Sequence, residues 1–294
     1  MRHLLLPVLI LLAGCPTGGG TSDEDDSDVS DPEPKFGSEF IGGDRPTFVH
    51  VPDDYDGRTP LPLVILLHGR GATPDLVDYL VGWRDLVDVD DFFLLVPESE
   101  TDGGVPRWNW QLDADYVDDV GYITGLIDQM TNEWAIDADR IVIAGHSNGG
   151  YMSYRMACTI PARLSAVMPY AGLYRRADVA ECDESASVSV LHLHGTADGS
   201  NGYEGSESEL GVQELGALWA ERGGCMPTPT DQPRVDLTDS VEGDETLVQT
   251  FDDGCTGVER VTVWSMEDGG HNARLNEVGS SETIGWLLSQ RRGE

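Results

Sequence analysis

Positive charge is scarce in this chain of 294 residues. It carries 18 lysines and arginines against 53 acidic residues, a formal net charge of −35, and Lys35 is its only lysine. Residues 1–35 hold only seven of the acids, so the acidity belongs to the body of the chain. Such a field repels phosphate backbones and anionic membrane surfaces, so we expect no nucleic-acid partner. Two origins of this acidic, lysine-poor composition are equally consistent with the sequence: a saline habitat and a genome rich in G and C.

No apolar run is long enough for a permanent membrane span. The apolar run LLLPVLILLAGC follows Met1–Arg2–His3 and resembles the signal of bacterial lipoproteins. This resemblance implies a signal peptide over residues 1–14 and lipidation of Cys15. A plain signal peptide with an incidental cysteine is the alternative. We expect an exported protein that is lipid-anchored to the cell envelope or secreted; Pro16 favours the outer membrane if the cell is Gram-negative.

The cysteines contain no CxxC motif and no Cys/His cluster that would indicate zinc. We therefore expect no metal, and no organic cofactor. With Cys15 set aside, four cysteines remain, and in an oxidising compartment they permit two disulfides in three connectivities. We choose the nearest-neighbour pairing, Cys158–Cys182 and Cys225–Cys255.

The segment after the signal is poor in apolar residues. Residues 16–38 are rich in Gly, Ser, Asp and Pro, and Val29 and Phe36 are their only large apolar side chains. Such a segment cannot bury enough surface to offset its chain entropy. We therefore predict a disordered tether over residues 15–40 and a catalytic domain over residues 41–294.

From about residue 40, apolar runs alternate with amphipathic stretches. The apolar runs indicate strands at 61–69, 92–97, 140–146, 166–172, 188–195 and 258–266. The amphipathic stretches indicate helices at 76–88, 116–134, 149–159, 208–222 and 281–290. Residues 47–52 and 246–251 add candidate antiparallel strands. The alternation predicts an α/β fold, a mostly parallel central sheet with helices on both faces.

The strongest chemical signal lies at residues 140–157, RIVIAGHSNGGYMSYRMA. A buried strand runs into a Gly-His-Ser-Asn-Gly turn, and a helical pattern follows at once. In this arrangement small residues flank a serine that is held in a strained turn above the sheet. Ser147 is the predicted nucleophile, in preference to a turn serine that only caps a helix.

A nucleophilic serine needs a base and an acid that orients the base. The fold type that the strand–turn–helix pattern indicates supplies them in the order Ser, Asp, His. Asp198 follows the strand at 188–195, and His271 follows the strand at 258–266 on a Gly-Gly loop. His192 and His194 lie inside a strand and are set aside as competing bases, and Glu204 and Asp183 are set aside as competing acids.

Negative charge that develops on the substrate must also be stabilised. The segment LLHGRGAT, residues 66–73, places a glycine-rich turn after an early strand. We predict the backbone amides of Arg70 and Asn148 as the oxyanion donors, with His68 orienting the loop. Trp108 and Trp110 could line the substrate cleft or pack in the core, and both alternatives stay open.

Several segments together resemble the secreted polyhydroxybutyrate depolymerases and feruloyl or acetylxylan esterases of the carbohydrate-esterase family 1 type. They are VPDDYDGRTPLPLVILLHG, RWNWQ, DDVGYITGLID, IDADRIVIAGHSNGGYMSYRMAC, HGTAD and GGH. The resemblance implies an α/β-hydrolase fold, the triad Ser147, Asp198 and His271, and the chosen disulfide pairing. The chain departs from the family pattern after GGH, at 272–274, and after HGTAD, at 199–202, which leaves the substrate open.

These features predict an exported serine carboxylic-ester hydrolase that forms an acyl-enzyme. Its substrates would be polysaccharide-linked acyl or feruloyl esters, or a polyhydroxyalkanoate-type polyester. Two alternatives stay open. One is a serine peptidase or thioesterase with the same triad. The other is a catalytically silent surface-binding protein, against which the intact triad argues. In every case the membrane is contacted through the lipid anchor only.

Overall fold

The computed structural model describes residues 33–182 and 187–293. The predicted signal peptide, Cys15 and most of the predicted tether lie outside these residues. In the described part of the tether, the Lys35 amide donates a hydrogen bond to the Gly57 carbonyl (2.6 Å). The ring of Phe36 packs edge-on against Tyr55, with 5.8 Å between centroids.

The described residues form the following strands: β1 (Phe40–Ile41), β2 (Thr47–His50), β3 (Leu61–Leu67), β4 (Phe93–Leu95), β5 (Thr101–Asp102), β6 (Val105–Pro106), β7 (Ile136–His146), β8 (Ala166–Tyr170), β9 (Tyr174–Arg175), β10 (Ser189–Gly195), β11 (Glu209–Leu210), β12 (Thr230–Asp231), β13 (Thr246–Thr250) and β14 (Val261–Met266). Their α-helices are α1 (Pro74–Val81), α2 (Val87–Asp90), α3 (Asp119–Glu133), α4 (Asn148–Thr159), α5 (Val212–Arg222) and α6 (Glu277–Leu288). None of these described helices has the length and apolar character needed to cross a bilayer.

Ten of the described strands form one sheet in the order β1-β2-β4-β3-β7-β8-β10-β14-β13-β12. The six central strands, β4 to β14 in this order, pair in parallel. The outer strands pair antiparallel on both sides. The predicted α/β fold is thus confirmed, including antiparallel pairing at 47–52 and 246–251.

Helices cover both faces of the sheet, because alternate residues of each central strand point to opposite sides. In β3, Ile65 belongs to the core on one face and Leu66 to the core on the other. Helices α3, α4 and α5 pack on the first face, and α1 and α6 pack on the second. Both faces are therefore buried, which explains the nearly continuous apolar runs of the central strands.

The stretch predicted as one helix over 76–88 divides into α1 and α2, with Gly82 in the left-handed conformation (φ 68°) after α1. Among the other predicted helices, those over 208–222 and 281–290 differ most from the structure at their first residue. The helix predicted over 208–222 begins at Val212, because Glu209–Leu210 pairs with β9 as a short ribbon. The helix predicted over 281–290 begins at Glu277, because Asn276 caps it. The Asn276 side chain accepts a hydrogen bond from the Gly279 amide (2.8 Å), a cap that the apolar pattern does not indicate.

Two disulfides join Cys158 to Cys182 and Cys225 to Cys255, which is the predicted pairing. The first ties the last turn of α4 to the segment after β9. The second ties the end of α5 to the connection between β13 and β14. Disulfides of this kind fit a protein that works in an oxidising compartment.

Candidate active site

Ser147 lies in the sharp turn between β7 and α4. Its φ is 52° and its ψ is −116°, a conformation that non-glycine residues rarely adopt. The turn brings backbone segments into close contact on both sides of the serine. A Cβ at Gly145 would lie 2.4 Å from the Gly149 carbonyl oxygen, and a Cβ at Gly149 would lie 2.2 Å from the Leu67 carbonyl oxygen. Glycine is therefore required at both positions, and the serine side chain projects from the carboxyl end of the sheet.

The structure brings Ser147, His271 and Asp198 together, although they follow three different strands. The distance from Ser147 Oγ to His271 Nε2 is 2.9 Å. The distance from His271 Nδ1 to Asp198 Oδ2 is 2.7 Å. The Asp198 side chain is fully buried, whereas 17% of the His271 side chain is exposed. A nucleophile, a base and an acid that orients the base thus meet at one edge of the sheet.

The Asp198 carboxylate is held by hydrogen bonds on both oxygens. Oδ1 accepts from the amides of Ser200 (2.8 Å) and Asn201 (2.9 Å). Burial alone would raise the pKa of Asp198, but the hydrogen bonds from His194, His271 and these amides hold it well below its usual range. The ionised carboxylate therefore accepts a hydrogen bond from the Nδ1–H of His271, which leaves a free electron pair on Nε2 facing the serine.

The loop that carries His271 is fixed by two buried side chains of the central strands. The His146 Nε2 donates to the His271 carbonyl (2.8 Å), and the Tyr170 hydroxyl donates to the Ala273 carbonyl. Burial lowers the pKa of His146 to about 4. The ring is therefore neutral near pH 7 and serves as a hydrogen-bond donor to the loop. Its ring lies against that of His271, with 4.9 Å between centroids, and both rings line the cleft beside Ser147.

The predicted oxyanion loop follows β3. The buried His68 accepts a hydrogen bond at Nε2 from the Ser99 amide (3.0 Å), so its Nδ1 carries the proton and donates to the Gly69 carbonyl (2.8 Å). In a trans peptide the carbonyl and the next amide point in opposite directions. Since His68 holds the Gly69 carbonyl inward, the Arg70 amide points away from the core. Arg70 and Ser147 line the same cleft.

Asn148, the second predicted donor, is the first residue of α4. The amides of a helix's first turn have no partner within the helix, and the helix dipole favours negative charge beside them. The Asn148 side chain is used elsewhere: its Oδ1 accepts from the Trp108 amide (2.6 Å). The side chain of Asn148 thus binds the Trp108 backbone, and its backbone amide is the predicted oxyanion donor.

In the described part of the chain, neither Trp108 nor Trp110 lines the cleft beside Ser147. Trp108 is fully buried, and its Nε1 donates to the His68 carbonyl (3.0 Å), so it supports the oxyanion loop from behind. Trp110 packs on Tyr151, with 4.7 Å between centroids, and Arg175 lies over its ring. Trp108 is therefore a core residue, and Trp110, which is partly buried, packs at the rim of the core.

A cleft of about 420 Å³ opens beside the serine. Its walls come from the oxyanion loop, from α1 and from the His271 loop. The lining residues are Gly69, Arg70, Gly71, Ala72, Leu76, Val77, Tyr79, Leu80, His146, Ser147, His271 and Asn272. Of the two segments that depart from the family pattern, the one after GGH reaches this cleft, through Asn272. The one after HGTAD does not; Asn201 and its neighbours instead hold Asp198.

Sequence reasoning missed the apolar wall formed by Leu76 and Leu80, because a helix pattern does not say which neighbours its exposed residues face. It also missed the support that His146 and His194 give to the triad. The signal for His194 was present, since a polar residue within a buried strand requires a partner. Across residues 33–182 and 187–293, no three His, Cys, Asp or Glu side chains are grouped as they would be around a metal ion.

The chain is similar to several known esterases. The family model described as Phospholipase/Carboxylesterase matches residues 106–206, which include Ser147 and Asp198. Feruloyl esterase C of Emericella nidulans is 26% identical over 287 residues, 96% of this chain and 95% of that protein. A bifunctional acetylxylan esterase/xylanase of Neocallimastix patriciarum is 28% identical over 58% of this chain, and the match spans only 24% of that protein.

A poly(3-hydroxyalkanoate) depolymerase C of Paucimonas lemoignei is 28% identical over 44% of this chain and 32% of that protein. Among solved structures, the acetyl xylan esterase from Aspergillus awamori superposes with a TM-score of 0.62 at 13% identity, covering 84% of this chain and 97% of that one. At that identity the superposition speaks for the fold alone. The sheet and these matches together show an α/β-hydrolase fold, and the chain is similar to feruloyl esterases, acetylxylan esterases and a polyhydroxyalkanoate depolymerase.

Proposed function

We propose that this protein is a serine carboxylic-ester hydrolase that acts through an acyl-enzyme. The observation that carries the proposal is the continuous chain Ser147 Oγ, His271 Nε2, His271 Nδ1 and Asp198 Oδ2, with successive distances of 2.9 and 2.7 Å. This chain opens onto a cleft that a substrate acyl group can enter. Both distances lie in the range of hydrogen bonds, and the first allows proton transfer from Ser147 Oγ to His271 Nε2.

The reaction proceeds in two stages. Ser147 Oγ attacks the ester carbonyl while His271 Nε2 takes its proton, and the ionised Asp198 stabilises the imidazolium. The amides of Arg70 and Asn148 donate to the oxyanion of the tetrahedral intermediate. His271 then gives the proton to the leaving alcohol, and the acyl group stays on Ser147. Water repeats the sequence, with His271 as its base, and releases the acid.

The substrates we propose are polysaccharide-linked acyl or feruloyl esters, or a polyhydroxyalkanoate-type polyester. The relatives named as feruloyl esterase, acetylxylan esterase and depolymerase support this class. The cleft supports it as well, because Leu76, Leu80 and Tyr79 give it an apolar wall. A cleft of about 420 Å³ fits one acyl unit of moderate size and leaves the alcohol portion outside.

We also propose that the protein acts outside the cytoplasm, lipidated at Cys15, with the membrane reached through this anchor only. The two disulfides support export. The test is fractionation of cells that produce the wild type or Cys15→Ser. We expect the wild type in the membrane fraction and the variant in the soluble exported fraction. Equal distribution of the two would refute the anchor.

A fluorophosphonate probe tests the serine mechanism. We expect it to label the wild type and not Ser147→Ala. Ser153→Ala is the matched control, because Ser153 is a buried serine of α4, the helix that follows Ser147. Equal labelling of Ser147→Ala would refute the proposal. Hydrolysis of p-nitrophenyl acetate, methyl ferulate and a polyhydroxybutyrate film then separates the substrate classes. Turnover of a peptide with all three esters inert would refute the ester assignment.

A further inference from the structure

A chain of buried hydrogen-bonding side chains ends at Asp198 and takes no part in the mechanism described above. The Tyr154 hydroxyl lies 2.6 Å from His192 Nδ1, and His192 Nε2 lies 3.1 Å from His194 Nδ1. His194 Nε2 lies 2.8 Å from the Asn201 carbonyl oxygen and 3.3 Å from Asp198 Oδ2. Both histidines have no solvent exposure.

The strand register explains why these side chains meet. His192 and His194 are separated by one residue in β10, so both rings point to the same face of the sheet. Their planes are nearly parallel, with 5.3 Å between centroids. On that face they meet α4, from which Tyr154 projects, and Trp219 of α5 stacks on Tyr154. Two polar side chains on a buried face are costly unless they are hydrogen-bonded, and here the two histidines and Tyr154 satisfy one another.

The acceptor at the end of the chain fixes the position of every proton. The Asn201 carbonyl can only accept, so His194 Nε2 carries a hydrogen and Nδ1 accepts from His192 Nε2. His192 Nδ1 then accepts from the Tyr154 hydroxyl. Burial holds the pKa of His192 well below its usual value and that of Tyr154 well above, so both groups are neutral. All three donors therefore point toward the Asp198 turn.

We propose that His194, backed by His192 and Tyr154, is a positioning residue for Asp198. Its Nε2–H fixes the Asn201 carbonyl, and the Asn201 amide in turn donates to Asp198 Oδ1. The same hydrogen lies beside Oδ2, the oxygen that orients His271. The hydrogen-bonded side chains of Tyr154, His192 and His194 thus fix the orientation of the Asp198 carboxylate from within the core. The inference rests on the proposed serine mechanism.

Three variants of His194 and Tyr154 test it with p-nitrophenyl acetate. His194→Leu removes the donor, and we expect kcat to fall about 100-fold with KM unchanged. His194→Gln returns an N–H near the same place, and we expect it to recover most of kcat. Tyr154→Phe removes only the distant hydroxyl, and we expect kcat about tenfold lower. The matched control is Tyr174→Phe, since Tyr174 is a buried neighbour whose hydroxyl has no hydrogen-bond partner among the described residues.

The readouts separate positioning from loss of structure. The proton between His271 Nδ1 and Asp198 gives a downfield proton NMR resonance, which should persist in His194→Gln and Tyr174→Phe and be lost in His194→Leu. Unchanged kcat in folded His194→Leu, or equal defects in the Leu and Gln variants, would overturn the inference. If His194→Leu does not fold, equal kcat for Tyr154→Phe and Tyr174→Phe overturns it. An active wild type and an inactive Ser147→Ala keep the proposed function separate from these outcomes.

Discussion

Removal of the His68 ring should damage catalysis without touching the triad. His68 holds the Gly69 carbonyl through Nδ1 and receives the Ser99 amide at Nε2. In His68→Ala the Gly69 carbonyl loses one of its two hydrogen bonds and keeps only the one from the Ala72 amide (3.1 Å), so the Gly69–Arg70 peptide is held less firmly. The Arg70 amide then no longer points reliably at the developing oxyanion. The perturbation thus acts on transition-state stabilisation and leaves the nucleophile, base and acid in place.

The magnitude is bounded by the value of one oxyanion donor. Complete loss of such a donor costs about 3 kcal/mol, about 100-fold in rate. Since the loop keeps its bond from the Trp108 indole to the His68 carbonyl, the amide should be misdirected only part of the time. We expect kcat/KM to fall about 10- to 100-fold in His68→Ala. His68→Asn, which can still donate to the Gly69 carbonyl, should lose less.

The assay is initial-rate hydrolysis of p-nitrophenyl acetate, with circular dichroism to confirm folding. The buried cavity and the unpaired Ser99 amide should lower the free energy of unfolding by about 2–4 kcal/mol, so rates are measured well below the unfolding midpoint. His50→Ala, at a partly buried position in β2 far along the sheet, controls for the loss of a histidine. A folded His68→Ala with kcat/KM within about twofold of wild type would refute the reasoning.

Three other predictions concern Asp198, His146 and the disulfide between Cys158 and Cys182. Asp198→Asn should lower kcat about 10⁴-fold with little change in KM, because the imidazole loses its required tautomer. If the variant hydrolysed esters as fast as the wild type does, Asp198 would have no part in catalysis. The pKa of His146 is about 4 when folded and about 6.5 when unfolded, so the unfolded chain takes up its proton first. Between pH 6.5 and 4 the wild type should therefore lose about 3 kcal/mol more unfolding free energy than His146→Gln in urea titrations, and equal losses would contradict this. The double variant Cys158→Ala/Cys182→Ala opens a disulfide with a sequence separation of 24 and should lower the unfolding free energy by about 3 kcal/mol, so an unchanged urea midpoint would argue against it.

The fold was predictable because its signals are local. Each central strand is buried on both faces, so its sequence is almost continuously apolar, as in β3 and β4. The turn at Ser147 was predictable for a similar reason, because close backbone contacts at Gly145 and Gly149 exclude every side chain. Where burial or backbone contact dictates the residue type, the residue type indicates the structure.

Side-chain direction outside regular elements was not predictable. Trp108 and Trp110 lie in a connection without a repeating pattern, so nothing in the sequence says which way an indole points. The start of α6 escaped detection because a single polar side chain, Asn276, caps it ahead of the apolar pattern. The pair His192 and His194 could have been interpreted further, since residues two apart in a strand share a face.

The histidines around this site share one physical design. His68, His146 and His194 all lie near the carboxyl ends of central strands: His68 follows β3, His146 ends β7, and His194 is the second-last residue of β10. Each donates a hydrogen bond to a backbone carbonyl of a loop at the site: Gly69, His271 and Asn201, respectively. A neutral imidazole suits this task, because it supplies a directed N–H without adding a charge that would compete with His271 for Asp198. Burial keeps such a ring neutral, as the lowered pKa values of His68 and His146 indicate. Protonation of His68 would place a hydrogen on Nε2 facing the Ser99 amide, so acidification should loosen the oxyanion loop.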